Sequence, residues 1–112
     1  MMKRFHIVLV NLDPSVGAEI KKTRPCLIIS PDEINESLQT IILAPITSTQ
    51  PRTLPTRVLL RATPESGLSN DSYAVLDQIK SVDKVRVIKK MGEISEQERI
   101  QISATLLEMF EY

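Results

Sequence analysis

The chain has 112 residues, enough for one compact domain and too few for two of ordinary size. Hydrophobic residues make up 42% and charged residues 25%, a globular composition that argues against disorder. Fourteen Lys and Arg residues balance fourteen Asp and Glu residues, which excludes a general basic excess that would draw the chain to nucleic acid or to a membrane. We expect one domain covering residues 1–112.

The charge is unevenly distributed along the chain. Residues 79–92 contain five basic and one acidic residue, a net charge of +4, whereas residues 93–112 contain one basic and five acidic residues, a net charge of −4. The neutral total therefore conceals a basic stretch beside an acidic tail.

Cysteine and histidine are too scarce for several kinds of site. Cys26 alone cannot form an internal disulfide, and His6 alone excludes a Cys/His zinc cage and a ribonuclease that uses two histidines. The apolar run near the N-terminus is too short for a signal peptide or a membrane span. We expect a cytoplasmic protein with no membrane contact, and a Cys26 that serves as a small core residue.

Short runs rich in β-branched residues, separated by Pro and Gly, predict strands as far as residue 92. The six predicted strands cover residues 7–10, 26–29, 40–44, 56–62, 72–76 and 85–88. In the fourth, Val58 and Leu60 alternate with Arg57 and Leu59, so one face is exposed. Residues 32–38 have room for one helical turn. The strands are too closely spaced for βαβ crossovers, which favours a small, bent antiparallel sheet or partial barrel.

The last twenty residues predict a helix. Ser95 and Glu98 form a capping box, preceded by Gly92. The apolar residues that follow at helical spacing are Ile100, Ile102, Leu106, Leu107, Met109 and Phe110. Such a helix closes one side of the sheet or packs on a second subunit. Because a domain this small is marginal and its sheet edges need cover, we expect a homodimer.

Three groups of polar residues stand at the ends of apolar runs. The first is the loop 13–24, the second is Thr47 and Ser48, and the third is Asp77 and Gln78. Each group has a plain structural explanation: a solvated loop, hydroxyls that satisfy a turn, and a carboxylate that caps one. Each could also bind a phosphate or a base. The chain contains no Walker A loop and no G-x-G-x-x-G, G-x-S-x-G or H-E-x-x-H motif.

Four blocks, in order along the chain, resemble the MazF/PemK (Kid) toxins, the endoribonuclease halves of bacterial type II toxin–antitoxin pairs. The blocks are NLDPSVGAE at 11–19, TRPCLIISP at 23–31, PITS at 45–48 and VLDQIKSVD at 75–83. The resemblance covers nearly the whole chain. It implies a mainly β fold with a C-terminal helix, an SH3-like barrel of five to seven strands, assembled as a dimer.

The same resemblance implies a sequence-specific endoribonuclease that cuts single-stranded RNA, often messenger RNA, without a metal or another cofactor. The 2′-hydroxyl would attack the adjacent phosphate and leave a 2′,3′-cyclic phosphate and a 5′-hydroxyl. A cognate MazE/PemI-like antitoxin would inhibit the enzyme.

Position by position, the resemblance implies that Arg24, Thr47 and Glu19 are the catalytic residues. A fixed guanidinium at Arg24 can bind two phosphate oxygens as their negative charge grows. Glu19 would remove the 2′ proton, and a carboxylate in this role predicts a slow enzyme. The further RNA-binding candidates are Ser48, Asp77, Gln78, Lys21, Lys22 and Lys80.

Other classes of protein remain as alternatives. A CcdB-like toxin shares the fold, binds DNA gyrase and has no enzymatic activity, but it need not keep Arg24 together with Thr47. A metal-dependent nuclease would use Asp13, Glu19 and Lys21, which imitate an acidic-acidic-lysine pattern for Mg²⁺, and sensitivity to a chelator would identify it. The third alternative is an inert dimeric scaffold.

Overall fold

The computed structural model describes residues 2–13, 16–19, 22–49 and 54–112. The strands are β1 (His6–Asn11), β2 (Thr23–Ile28), β3 (Thr40–Thr47), β4 (Arg57–Leu60), β5 (Ser72–Val75), β6 (Lys80–Asp83) and β7 (Val87–Glu93). The helices are α1 (Asp32–Ser37) and α2 (Glu96–Phe110), and short 3-10 turns cover Leu76–Gln78 and Lys84–Arg86. The prediction of a mainly β fold with a C-terminal helix is confirmed.

Strand β3 is the centre of an antiparallel sheet whose order is β4-β5-β3-β2-β1-β7. One edge of β3 pairs with β2. The other edge pairs first with β6, over Thr40 to Leu43, and then with β5, at Ile46 and Thr47. The 3-10 turn Leu76–Gln78 lies in the chain between β5 and β6. The polar residues of that turn are therefore held close to the middle of the sheet.

Two glycines bring the outer strands of the sheet together. The Glu93 N–H of β7 donates to the Glu65 carbonyl at 2.9 Å, so the segment after β4 touches β7. A Cβ on Gly92 would lie 2.2 Å from that same carbonyl oxygen. Gly67 has a φ of +70°, and a Cβ there would lie 2.3 Å from the Met91 carbonyl oxygen. This backbone-to-backbone contact is what closes the sheet into a partial barrel.

Alternation along the strands divides the apolar side chains into two clusters. The first includes Ile7, Leu27, Ala44, Ile46, Leu60, Leu76 and Ile102. The second includes Val8, Val10, Leu12, Cys26, Ile28, Ile41, Leu43 and Val82. Strand β1 supplies both clusters, because its continuous apolar run presents apolar side chains to both faces of the sheet. Cys26 is fully buried, which confirms it as a core residue.

Helix α2 begins as predicted. The Glu98 N–H donates to Ser95 Oγ at 3.2 Å, and the Ser95 N–H donates to Glu98 Oε1 at 2.9 Å. Ile102 is buried, while Ile100, Leu107 and Phe110 are 62%, 73% and 68% exposed. Only the inner part of the predicted apolar arc packs on the sheet. Neither described helix combines the length and apolarity that crossing a membrane requires.

Near residue 80, one strand was missed and one strand prediction was wrong. Strand β6, with a single apolar residue Val82, was not predicted, although it pairs with β3. The run 85–88 is not one strand, because Lys84–Arg86 forms a 3-10 turn and β7 continues to Glu93. Both strands are held by backbone pairing with a neighbour, which a hydrophobic pattern does not report.

Candidate active site

The start of β2 and the end of β3 bring the two main catalytic candidates together. The β2–β3 register pairs Cys26 with Pro45 and Leu27 with Ala44. The same register, extended by two residues, sets Arg24 opposite Thr47, and both side chains are half-buried. Residues directly opposite in an antiparallel pair project from the same face with Cβ atoms about 5 Å apart. A guanidinium and a hydroxyl therefore share one face of the sheet at its rim.

Thr47 begins an exposed turn. The Thr49 N–H donates to Thr47 Oγ1 at 3.2 Å, and Ser48 between them is exposed. This bond occupies an acceptor position of the Thr47 hydroxyl, whose proton can still be donated to another group. The turn therefore places two hydroxyls at the end of β3.

The loop that precedes Arg24 is closed at its base. The Lys22 N–H donates to Asp13 Oδ1 at 2.8 Å, and the Leu12 N–H donates to the Lys22 carbonyl at 3.0 Å. The Arg86 guanidinium donates to the carbonyl oxygens of Asn11, at 3.3 Å, and of Asp13. Lys22 is exposed, with a φ of +70°. The candidate Lys21 lies outside the described residues.

Glu19 is the candidate base. The Val16 N–H donates to Glu19 Oε1 at 2.7 Å, which orients the carboxylate within an exposed turn. Glu19 lines a cleft of about 260 Å³ together with Asp77, Gln78, Ile79 and Lys80. The structure thus brings four predicted site residues into one cleft. Arg24 and Thr47 are not among the residues that line it.

Asp77 is held by two residues of the chain itself. Arg57 donates from Nε to Oδ1 and from Nη2 to Oδ2, both at 3.3 Å, and the Thr56 hydroxyl donates to Oδ1 at 3.0 Å. Burial alone would raise the pKa of Asp77, but the bonds from Arg57 and Thr56 outweigh burial and hold that pKa below its ordinary value. The 3-10 turn that carries Gln78 is therefore tied to β4 by a forked ion pair.

The pKa of the Cys26 thiol shows which charges lie near the site. Burial raises the pKa of the Cys26 thiol to about 12, although the positive charges of Lys80 and Arg24 both act to lower it. Arg24 and Lys80, from β2 and β6, therefore contribute positive potential to the same region. The thiol itself is an inert core group.

Two residues near the site were not predicted from the sequence. The alternation in its strand predicts only that Arg57 lies on the exposed face, and no sequence pattern pairs it with Asp77, twenty residues away. The pattern around Tyr73 predicts only a strand, whereas the structure sets Tyr73 opposite Thr47 on one side and Leu59 on the other. The missing information in both cases is strand pairing.

The acidic residues of the alternative magnesium site are used within the loop. Asp13 and Glu19 each accept a backbone N–H. Across the described part of the chain, no three His, Cys, Asp or Glu side chains cluster as metal ligands would.

The fold is a partial barrel of antiparallel strands with a C-terminal helix. It carries basic and hydroxyl groups at the ends of its central strands. Residues 3–110 match the family described as the PemK-like, MazF-like toxins of type II toxin–antitoxin systems, and the chain belongs to this family.

Individual relatives cover almost the whole chain. Endoribonuclease MazF9 of Mycobacterium tuberculosis is 34% identical over 111 residues, covering 95% of this chain and 93% of that protein. Endoribonuclease EndoA of Bacillus subtilis is 34% identical over 115 residues, covering 96% and 98%. The crystal structure of MazF from Deinococcus radiodurans superimposes with a TM-score of 0.84 at 22% identity, over 99% of this chain and 97% of that one.

Proposed function

We propose that this chain is the toxin of a type II pair and acts in the cytoplasm as a sequence-specific, metal-independent endoribonuclease that cuts single-stranded RNA, messenger RNA among its substrates. The observation that carries the proposal is the β2–β3 register, which pairs Cys26 with Pro45 and, continued by two residues, sets Arg24 opposite Thr47. Relatives that are 34% identical to the chain are named endoribonucleases.

Cleavage proceeds within the RNA strand. The 2′-hydroxyl loses its proton to the Glu19 carboxylate, the O2′–P bond forms, and the P–O5′ bond breaks. The products are a 2′,3′-cyclic phosphate and a 5′-hydroxyl, whose oxygen takes up a proton from water as it leaves. Arg24 and Thr47 donate hydrogen bonds to the phosphate oxygens as their negative charge increases. No step requires a cofactor.

The remaining predicted residues hold the strand on either side of the cut. Lys22, Lys80 and Ser48 contact phosphates, which fixes position and not sequence. Gln78, on the 3-10 turn beside the cleft, reads a base edge. Asp77 contributes to this role by fixing the turn through Arg57. Lys21 is assigned to phosphate binding from its place in the sequence alone.

We further infer regulation by an antitoxin and assembly into a homodimer. Among the solved structures with this fold, one is an endoribonuclease in complex with its cognate antitoxin from a Mycobacterial species, with a TM-score of 0.78 at 20% identity. An acidic antitoxin segment would compete with RNA for Arg24, Lys22 and Lys80. Its affinity should fall with salt and on reversal of those charges.

The test is cleavage of a long single-stranded RNA in EDTA, with the ends of the products mapped. Arg24→Ala should slow cleavage at least about 100-fold, the scale expected when a donor to a developing oxyanion is lost. Arg4→Ala is the matched control, because Arg4 is exposed and precedes β1 at the end opposite to Arg24. It should cut like the unmodified protein.

The other outcomes identify the alternatives. Cleavage that returns only when Mg²⁺ is restored would assign a metal-dependent nuclease. Absence of cleavage with and without Mg²⁺ would overturn the proposal and leave the gyrase-binding toxin to be tested directly.

A further inference from the structure

We propose that Tyr73 is a base-stacking residue, which binds the face of an RNA base next to the phosphate held by Arg24 and Thr47. The proposal rests on the proposed ribonuclease function and adds a residue that determines how the substrate is positioned.

The strand register places Tyr73 in one row with the catalytic candidates. Thr47 of β3 pairs with Tyr73 of β5, which pairs with Leu59 of β4. Cross-strand partners project from the same face of a sheet. The row on this face therefore runs from Arg24 through Thr47 and Tyr73 to Leu59.

The distances along this row suit one nucleotide. Neighbouring strands lie about 4.8 Å apart, so Tyr73 is one strand from the hydroxyl of Thr47 and two strands from Arg24. A phosphate bound by Arg24 and Thr47 would place the attached nucleoside over β5. The base would meet Tyr73 before it reached any other aromatic side chain of the chain.

The surroundings of Tyr73 are suited to an uncharged, flat ligand. Leu59 on one side is 36% exposed, so an apolar surface continues from the ring. Two arginines lie two residues from Leu59 along the chain: Arg57, which is paired with Asp77 at 3.3 Å, and Arg61, which is paired with Asp71 at 3.1 Å. A half-buried tyrosine ring beside an exposed leucine therefore offers a flat surface next to arginines that are already paired.

The other three aromatic residues occupy different places. The Phe5 ring lies 5.2 Å from the Arg4 guanidinium and 5.7 Å from that of Arg99. Phe110 is exposed on α2 and Tyr112 follows that helix. Tyr73 is therefore the aromatic residue available for stacking on the face that carries Arg24 and Thr47.

The first measurement is binding of an RNA that cannot be cut. The probe is the sequence mapped in the cleavage experiment, with a 2′-methoxy group replacing the attacking hydroxyl. Stacking on an aromatic side chain predicts roughly 5- to 150-fold weaker binding for Tyr73→Ala. Tyr73→Phe keeps the ring and should bind within about twofold of the unmodified protein.

The second measurement does not depend on a substitution that removes a half-buried ring. The chain contains no Trp, so Tyr73→Trp introduces a single fluorophore at the proposed platform. The RNA probe should quench its emission by stacking on the indole. Tyr112→Trp, at the exposed end of the chain, is the matched control and should not respond.

The outcomes separate this proposal from the proposed function. RNA that is cut and bound without quenching of Tyr73→Trp overturns the stacking role and leaves the ribonuclease in place. Equal losses for Tyr73→Phe and Tyr73→Ala would assign the role to the hydroxyl and likewise overturn stacking. A protein that neither cuts nor binds RNA overturns both.

Discussion

The two ends of strand β1 carry similar charged residues in different arrangements. At the His6 end, Glu93 lies 3.4 Å from Arg99, 3.7 Å from His6 and 3.8 Å from Lys90. At the opposite end, Glu19, Asp77 and Lys80 line an open cleft that Arg24 and Thr47 do not line. The first arrangement joins strands and helix around one carboxylate, and Glu93 and Arg99 also line a cavity of about 490 Å³. The cleft at the second end, about 260 Å³, is smaller. Charged residues beside a cavity therefore do not by themselves mark a site, and the second end differs in having the Arg24 guanidinium and the Thr47 hydroxyl at the rim of the sheet.

The largest expected difference between the two ends is in the loss of stability when a glycine is replaced by alanine. Gly67 and Gly17 both have positive φ, of +70° and +60°, but a Cβ on Gly17 meets nothing within 4 Å. Gly67→Ala adds a clash with the Met91 backbone and should lower the free energy of unfolding by at least about 3 kcal/mol. Gly17→Ala carries only the left-handed penalty, about 1 kcal/mol. Urea unfolding measures both, and equal losses would show that the 63–67 segment is not tightly packed.

Removing a side-chain hydroxyl should affect mainly stability at one end of the molecule and mainly RNA cleavage at the other. Ser95→Ala removes the cap of α2 and should cost about 1 kcal/mol of stability without changing RNA cleavage. Thr47→Ala should slow cleavage at least about tenfold with a smaller loss of stability. Cleavage rates and urea midpoints of both variants decide the matter, and slower cleavage by Ser95→Ala would contradict the separation of roles.

The ion pair between Arg57 and Asp77 should contribute a small coupling free energy to the stability of the fold. The Arg57 side chain is 15% exposed and that of Asp77 is 34% exposed, so solvent screens the pair in part. A double-mutant cycle of Arg57→Ala and Asp77→Asn should give a coupling of about 0.5–1 kcal/mol. Both single variants should raise KM for RNA more than they lower kcat, since they loosen the turn that carries Gln78. An effect confined to kcat would instead place Asp77 in the chemistry.

The smallest effect is a pH dependence at the His6 end. Burial lowers the pKa of His6 and the Lys90 charge adds to this, while Glu93 acts to raise it. Because the folded pKa lies below the ordinary value of 6.5, the unfolded chain binds the proton more readily. The contribution of His6 to stability is therefore fully present above about pH 6.5 and is lost as the pH falls through the folded pKa of His6. Urea midpoints between pH 8 and pH 5 should fall less for His6→Gln, and identical profiles would exclude His6 as the cause.

Much of the fold could be predicted because apolar runs and breakers are local signals. The buried run in β1, the alternation in β4 and the capping box at Ser95 all appear in the structure as expected. The sequence also indicated where polar groups gather. It did not indicate β6, whose residues are mostly polar, or the length of β7, because backbone pairing with a neighbour needs no apolar pattern.

The sequence by itself determined the mainly β composition and the terminal helix, since both depend on residue types at short spacing. It also determined the family, and the resemblance to that family supplied the candidates Arg24, Thr47 and Glu19. Only the tertiary structure decided which of them meet. The β2–β3 register, continued two residues past Cys26 and Pro45, sets Arg24 opposite Thr47. Glu19, Asp77, Gln78 and Lys80 line a separate cleft, and Arg57 binds Asp77. Strand pairing likewise sets Tyr73 opposite Thr47. Contacts between residues twenty or more positions apart depend on how strands pair, and pairing is a property of the whole sheet.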